Sequence, residues 1–407
     1  MNLYVALDRH LYGASGAQRY LWVRVEAPRM PSTSTSRAPF DIELVLDRSG
    51  SMGGSKIEYT RRAATTAVNL LRETDRCGLV AYDDEILPFA PCGRVDGNQR
   101  QRLLEAIDQL HARGSTNLFG GWLAGAEELS RLEEARVRRV LLMTDGLANV
   151  GVTDRAEILH HVRELAARGV STTAFGVGLD FDEVLVSGMA EAGNGHFYYI
   201  ERPEQIPDFL SSELGELLTI AARSATLEVV AGGVAVSNLN GLPIAGALYQ
   251  LGDLSEGTVV DVCFALDLPP QAASPLKIEV TLGWQDPNDS RTRSTSKVVV
   301  VETASEEQCR QETPNRDTLL QAAKARAALA RTDALVFNKV GDYGRASSRA
   351  VAEVAALEAM AVDLPEAAVM AEELREEEGQ FASPMSAMAS KSVLYANYKA
   401  RRSRVDP

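Results

Sequence analysis

The chain has 407 residues, 45% hydrophobic and 24% charged, which describes a globular protein long enough for two or three domains and excludes collagen-like, disordered and membrane-embedded classes. Lys and Arg number 42 against 56 Asp and Glu, and the resulting charge of −14 opposes phosphate backbones and anionic lipid, so no nucleic-acid partner is expected. Four cysteines (Cys77, Cys92, Cys263, Cys309) with no CxxC pair point to reduced thiols and a cytoplasmic location. The opening MNLYVALDRHLYG lacks the basic segment and apolar run of a secretory signal, and no stretch approaches the roughly 18 consecutive apolar residues of a membrane span.

In chain order, residues 1–37 hold two strand-like stretches, 3–7 and 20–25, and a Pro/Ser/Thr linker. Residues 38–222 alternate strands and helices. FDIELVLD reads as a buried strand and SKIEYTRRAATTAVNLLRE as a helix with Ile57, Thr60, Ala64, Ala67, Val68 and Leu71 on one face. The strand CGLVAYDD, a helix near 98–112, a Gly-rich loop at 114–121, a helix to about 133 and the strand VRRVLLMTD follow. Helices at 154–168, 181–191 and 204–221, with strands at 171–177 and 195–200, complete this zone. Its apolar runs are too continuous for a one-sided sheet, so the expected fold is α/β: a doubly wound, mostly parallel, Rossmann-like sheet with helices on both faces.

Residues 223–304 change to period two in six short strands, the pattern of an antiparallel β-sandwich. Six strands make a thin sandwich, so the two N-terminal strands are expected to complete it, with the α/β domain inserted between. Residues 305–407 form a C-terminal helical region: an αα-hairpin broken at GDYG (341–344), an acidic helix at 365–379, and a tail carrying KARRSR.

The segment VLDRSGSMGGSK (45–56) carries the chemistry. In an open α/β sheet, ligands bind at the carboxyl ends of the strands. Asp47 ends a strand, and Ser49 and Ser51 follow in a Gly-containing loop whose alternate residues can turn the same way. One carboxylate and two hydroxyls with room for water are what Mg²⁺ or Mn²⁺ prefers. Thr116 in RGSTNLFGG and Asp145 at the end of VLLMTDG fall on the same sheet edge.

At this point the sequence resembles a known family. The Asp-x-Ser-x-Ser, Gly-Ser-Thr-Asn and Thr-Asp-Gly elements look like the metal-ion-dependent adhesion site of von Willebrand factor A domains, and residues 38–222 follow that domain's order of elements. The resemblance implies that Ser49, Ser51 and Thr116 contact a divalent ion directly or through water and that Asp47 and Asp145 hold it largely through water. It also implies a partner: another protein whose Asp or Glu completes the ion's coordination. An A domain inserted in a sandwich with a helical tail further looks like a group of bacterial cytoplasmic or envelope-associated proteins.

Each residue also has a plainer reading. Ser49 and Ser51 could serve only as helix caps, with Ser55 the better cap, and Thr116 could cap the helix it precedes. Asp83 and Asp84 read as a turn rather than an acidic rim. His160 and His161, adjacent on a helix, point roughly 100° apart and suit chelation poorly. Cys77 reads as core and Cys92 as an exposed loop thiol, and Phe119 and Trp122 read as buried. The acidic helix is expected to be a solvated face, and KARRSR is too short to argue for nucleic acid.

The leading expectation is a non-enzymatic, metal-dependent protein-interaction module acting as a scaffold or adaptor. One alternative is a Mg²⁺-dependent phosphohydrolase using Asp47, although such enzymes place a second acid where Ser49 stands. The other is an adaptor of an AAA+ ATPase, which must be a separate chain because no G-x-x-x-x-G-K-[ST] loop occurs here.

Overall fold

The computed structural model describes residues 1–29, 38–132, 136–270, 275–287 and 291–402. The chain opens with β1 (Asn2–Leu7), β2 (Leu11–Tyr12) and β3 (Ala17–Glu26). An α/β unit follows: β4 (Phe40–Asp47), α1 (Ser55–Leu70), β5 (Arg76–Tyr82), β6 (Ile86–Arg94), α2 (Gly97–Asp108) and α3 (Leu118–Ser130). It continues through β7 (Val137–Thr144), α4 (Arg155–Ala167), β8 (Val170–Val177), α5 (Glu183–Ala192), β9 (Asn194–Ile200) and α6 (Ile206–Leu218). The sheet order is β6-β5-β4-β7-β8-β9, parallel except for β6 at one edge. Both faces are covered, so every residue of β4 and β8 is buried. Ile42, Leu44 and Leu46 pack under α1, α2 and α6, whereas Val45 faces α3, α4 and α5.

Strand β6 is an addition to the expected elements. It carries Cys92, which was expected in an exposed loop and is instead half-buried, its thiol pushed well above its ordinary range by burial. The helix α1 also starts differently: Gly54, at φ 74°, occupies the cap position with no side-chain bond, and Ser55 is already helical. A positive φ there suits glycine and frees Ser55 from the expected role.

The remaining strands are β10 (Ile220–Ala231), β11 (Ala235–Asn238), β12 (Ile244–Ala245), β13 (Leu248–Ser255), β14 (Val259–Leu268), β15 (Leu276–Gln285) and β16 (Thr292–Thr303). They form two sheets with the N-terminal strands, β1-β3-β14-β11 and β12-β13-β10-β15-β16-β2, around a core containing Val23, Val25, Phe264, Ile278 and Val280. The chain thus leaves one sheet after β3 and re-enters the pair at β10, and all sandwich pairings are antiparallel except β16 with β2.

Helices α7 (Glu306–Gln311), α8 (Arg316–Lys339), α9 (Tyr343–Met360), α10 (Pro365–Phe381) and α11 (Ala387–Arg402) follow. Gly341 at φ 78° and Asp342, whose side chain caps Arg345 N–H, make the hairpin turn between α8 and α9. Helix α10 runs through Gly379 rather than stopping there. The segment read as a tail becomes α11, which lays Leu394, Tyr395 and Tyr398 against the α/β core. Its basic residues are used internally: Lys391 pairs with Glu183, and Arg401 with Glu191 and the Asn240 carbonyl. Among the described residues no helix is long and apolar enough to cross a membrane.

Candidate functional site

Three segments meet at the carboxyl edge of the parallel sheet: the turn after β4, the loop before α3, and the end of β7. Backbone bonds lock the first two together, with Gly50 N–H donating to the Gly114 carbonyl at 3.0 Å and Arg113 N–H to the Arg48 carbonyl at 2.7 Å. Below them, Asp83 is fully buried and takes Arg48 and Arg113, each at 2.9 Å, on one carboxylate oxygen. Its other oxygen accepts Glu85 N–H at 2.6 Å, so Asp83 is a turn and an ion-pair hub that pins the loops. Exposed Asp84 accepts Ser115 N–H, which lowers its carboxyl below the ordinary value.

All five residues singled out in the sequence lie here. Asp47 is buried; its oxygens accept Ser49 N–H at 2.8 Å and the Thr144 hydroxyl at 2.7 Å. Burial nevertheless pushes its carboxyl up to about 6, outweighing those bonds. The Ser49 and Ser51 hydroxyls are 3.1 Å apart, and Ser51 donates to Asp145 Oδ1 at 2.7 Å. A methyl group added to Gly146 would stand 3.1 Å from Thr116 Oγ1 and 3.5 Å from Ser51 Oγ, so these two hydroxyls approach one point. Neither serine caps a helix with its side chain, and Asn117, rather than Thr116, caps α3 by accepting Gly120 N–H. Of the five, Ser51 alone is exposed, which leaves the cluster open to solvent on that side.

Other contributors were not singled out in the sequence. Thr144 orients Asp47. Asn149 fixes Thr116, accepting its N–H at 2.9 Å while donating its own N–H to the Thr116 carbonyl at 3.1 Å. Lys56 pairs with Asp145 Oδ2. Lys56 lies inside the motif segment, but nothing in its spacing announces that the first turn of α1 aims it at the end of β7.

Residues 41–212 match the family model of the von Willebrand factor type A domain. These residues form a von Willebrand factor type A domain. The chain is 27% identical over 247 residues to the uncharacterized protein YfbK of Escherichia coli, a match spanning 58% of this chain and 43% of that protein. It therefore spans under half of that relative's length. Among solved structures, a von Willebrand factor type A protein from Catenulispora acidiphila superposes with a TM-score of 0.67 at 17% identity, covering 86% of each chain. The ArnB paralog VWA2 from Sulfolobus acidocaldarius superposes with a TM-score of 0.65 at 16% identity, covering 100% of this chain and 99% of that one. At such identities these two show the fold alone.

The A domain's cluster offers two carboxylates and three hydroxyls, all hard oxygen donors, gathered where the three segments meet and open to solvent at Ser51. This donor set fits Mg²⁺ or Mn²⁺ with some coordination left to water or a ligand.

Proposed function

We propose that this chain is a divalent-metal-dependent protein-interaction module, in which Asp47, Ser49, Ser51, Thr116 and Asp145 hold Mg²⁺ or Mn²⁺ and a carboxylate from another protein binds to the ion. The observation that carries the reading is the placement of Ser51 within hydrogen-bond distance of both Ser49 and Asp145, beside Thr116. Bound there, the ion supplies Lewis-acid affinity for an anionic oxygen. The chain's own residues do the rest: Thr144 and Ser49 N–H orient Asp47, Asn149 fixes Thr116, and Lys56 adds a positive charge at the rim. The seating of Asp47 supports binding over phosphohydrolysis, because both its oxygens are engaged and the residue is fully buried, a poor posture for a nucleophile.

An intracellular scaffold or adaptor role in the cytoplasm belongs to the same proposal. All four cysteines are free, two buried and two half-buried, as a reducing compartment favours. The test is capture of protein partners by the immobilised chain in Mg²⁺, with chelator and with Thr116→Ala, alongside an assay of aryl phosphate turnover. Capture lost on both changes supports the proposal. Capture that survives both, or steady turnover lost in Asp47→Asn, overturns it.

A further inference from the structure

At the opposite edge of the A-domain sheet, toward the strand starts, lies a second group of metal-type donors. His196 projects from β9, and Glu213 and Glu216, three residues apart on α6, present their carboxylates on one helix face. One ligand atom from each lies within 4.8 Å of the others. His196 Nδ1 is 2.8 Å from Glu213 Oε2 and 3.6 Å from Glu216 Oε2. Donors around a tetrahedral ion, each at roughly 2.0–2.2 Å from it, are separated by about 3.4 Å, so the observed spacing brackets that of a coordination sphere.

The surroundings are built as metal sites build them, with outer groups fixing the ligands. Glu213 Oε1 accepts Arg139 Nη1 and the Thr173 hydroxyl, both at 2.7 Å, and Tyr198 donates its hydroxyl to Oε2 at 3.0 Å. Arg139 is buried and divides its charge between Glu213 and Asp253 of β13, also at 2.7 Å. Glu213 is fully buried, whereas His196 and Glu216 are partly exposed and line a cavity of about 350 Å³ walled by Asp253, Leu254 and Tyr398. An ion can thus enter from solvent and reach a carboxylate already oriented for it.

We propose that His196, Glu213 and Glu216 form a second divalent-metal site, at the junction of the A domain, the sandwich and α11. One imidazole and two carboxylates select a borderline ion such as Zn²⁺ or Co²⁺ over Mg²⁺, which prefers an all-oxygen octahedron. The chain then carries two sites of different chemistry on opposite edges of one sheet, and the second ties β9 to α6 beside the wall formed by β13. This proposal does not depend on the first site.

Co²⁺ titration of the full chain, with millimolar Mg²⁺ present to occupy the all-oxygen site, tests it. One equivalent of Co²⁺ is expected to give the visible absorption of a four- or five-coordinate ion, with Zn²⁺ displacing it and raising the melting temperature. His196→Ala and Glu216→Gln each weaken Co²⁺ binding at least tenfold while leaving the circular dichroism spectrum unchanged. Glu213 is left intact in the test because it compensates buried Arg139. Absence of a Co²⁺ spectrum in the unmodified chain, which would leave the cluster an ion pair only, overturns the proposal. So does binding unchanged in both variants.

Discussion

Asp8, at the end of β1, is a sharp test of how burial is handled in this fold. Its side chain is 6% exposed, and Oδ1 accepts Tyr20 N–H at 2.7 Å, while its carbonyl accepts Asn315 N–H, joining the sandwich to the start of α8. Burial raises the carboxyl from 3.8 to about 6, against the Tyr20 bond and the attraction of Arg19. Because the folded value lies above the unfolded one, the folded chain holds the proton more tightly. The associated stability is fully present below 3.8 and is lost as pH rises through about 6. At about 1.4 kcal/mol per pH unit, the gap amounts to some 3 kcal/mol at neutral pH as an upper bound. Asp8→Asn keeps an oxygen for Tyr20 and removes the charge. The variant is expected to exceed the unmodified chain by about 1–3 kcal/mol at pH 8, or several degrees in melting temperature, with the difference closing near pH 4. Thermal melts from pH 4 to 8, followed by tryptophan fluorescence, measure it. A difference that is independent of pH, or a variant less stable at pH 8, refutes the reasoning.

Three further outcomes are expected. Glu43 is fully buried on β4, in a space that side chains at Gly78 or Gly125 would invade; burial, with Glu128 nearby, holds its carboxyl well above the ordinary value against a weak bond from the Cys92 thiol. Glu43→Gln should therefore stabilise the chain increasingly as pH rises above the ordinary carboxyl value of 4.5, by about 1–2 kcal/mol in urea titrations at pH 9, and equal stability there would contradict it. Lys56→Met removes the ammonium paired with Asp145, so the Mg²⁺ midpoint read by thermal shift should fall severalfold; a rise would make Lys56 a supporter of the ion rather than its competitor. Trp122→Phe deletes a buried bond from the indole N–H to Thr172 Oγ1 at 3.0 Å, and should cost about 1–3 kcal/mol in stability without altering partner capture.

The five clustered residues could be placed on one sheet edge from the sequence because each marks a strand end or a loop after one, where clear β/α alternation fixes position without tertiary knowledge. Asp47 and Asp145 follow uninterrupted apolar runs, and Thr116 precedes a helix. The edge strand β6 was not legible, since Pro88 and Pro91 within ILPFAPCGR read as loop; an edge strand tolerates them because it needs only one ladder of bonds. Nor was the packing of α11. Its sequence mixes Ala, Ser and basic residues, and the rings that seat it, Tyr395 and Tyr398, gain meaning only when Phe197 stands opposite. The His196, Glu213 and Glu216 group joins residues 17 and 20 positions apart with no local pattern, so only the approach of β9 to α6 reveals it.

The two edges of the A-domain sheet face different mechanical demands. At the strand starts, Arg139 reaches Asp253, and Gly252 lies so close to Asn194 that an added methyl group would stand 2.8 Å from its carbonyl oxygen. The sandwich therefore grips this edge through charge and close backbone approach, and removing Arg139 would leave Glu213 a buried, uncompensated charge. At the strand ends, the hydrogen bonds described for the loops carrying Ser49, Thr116 and Asp145 terminate on other residues of the same domain. An anchored edge on one side and a self-contained cluster on the other would let the proposed binding edge meet a partner without disturbing the junction. In the proposed binding mode the net charge of −14 would act as a filter, repelling acidic proteins at long range while a bound cation and Lys56 attract a well-placed carboxylate at short range. Binding so balanced would strengthen as salt screens the long-range repulsion, until screening reaches the contact itself.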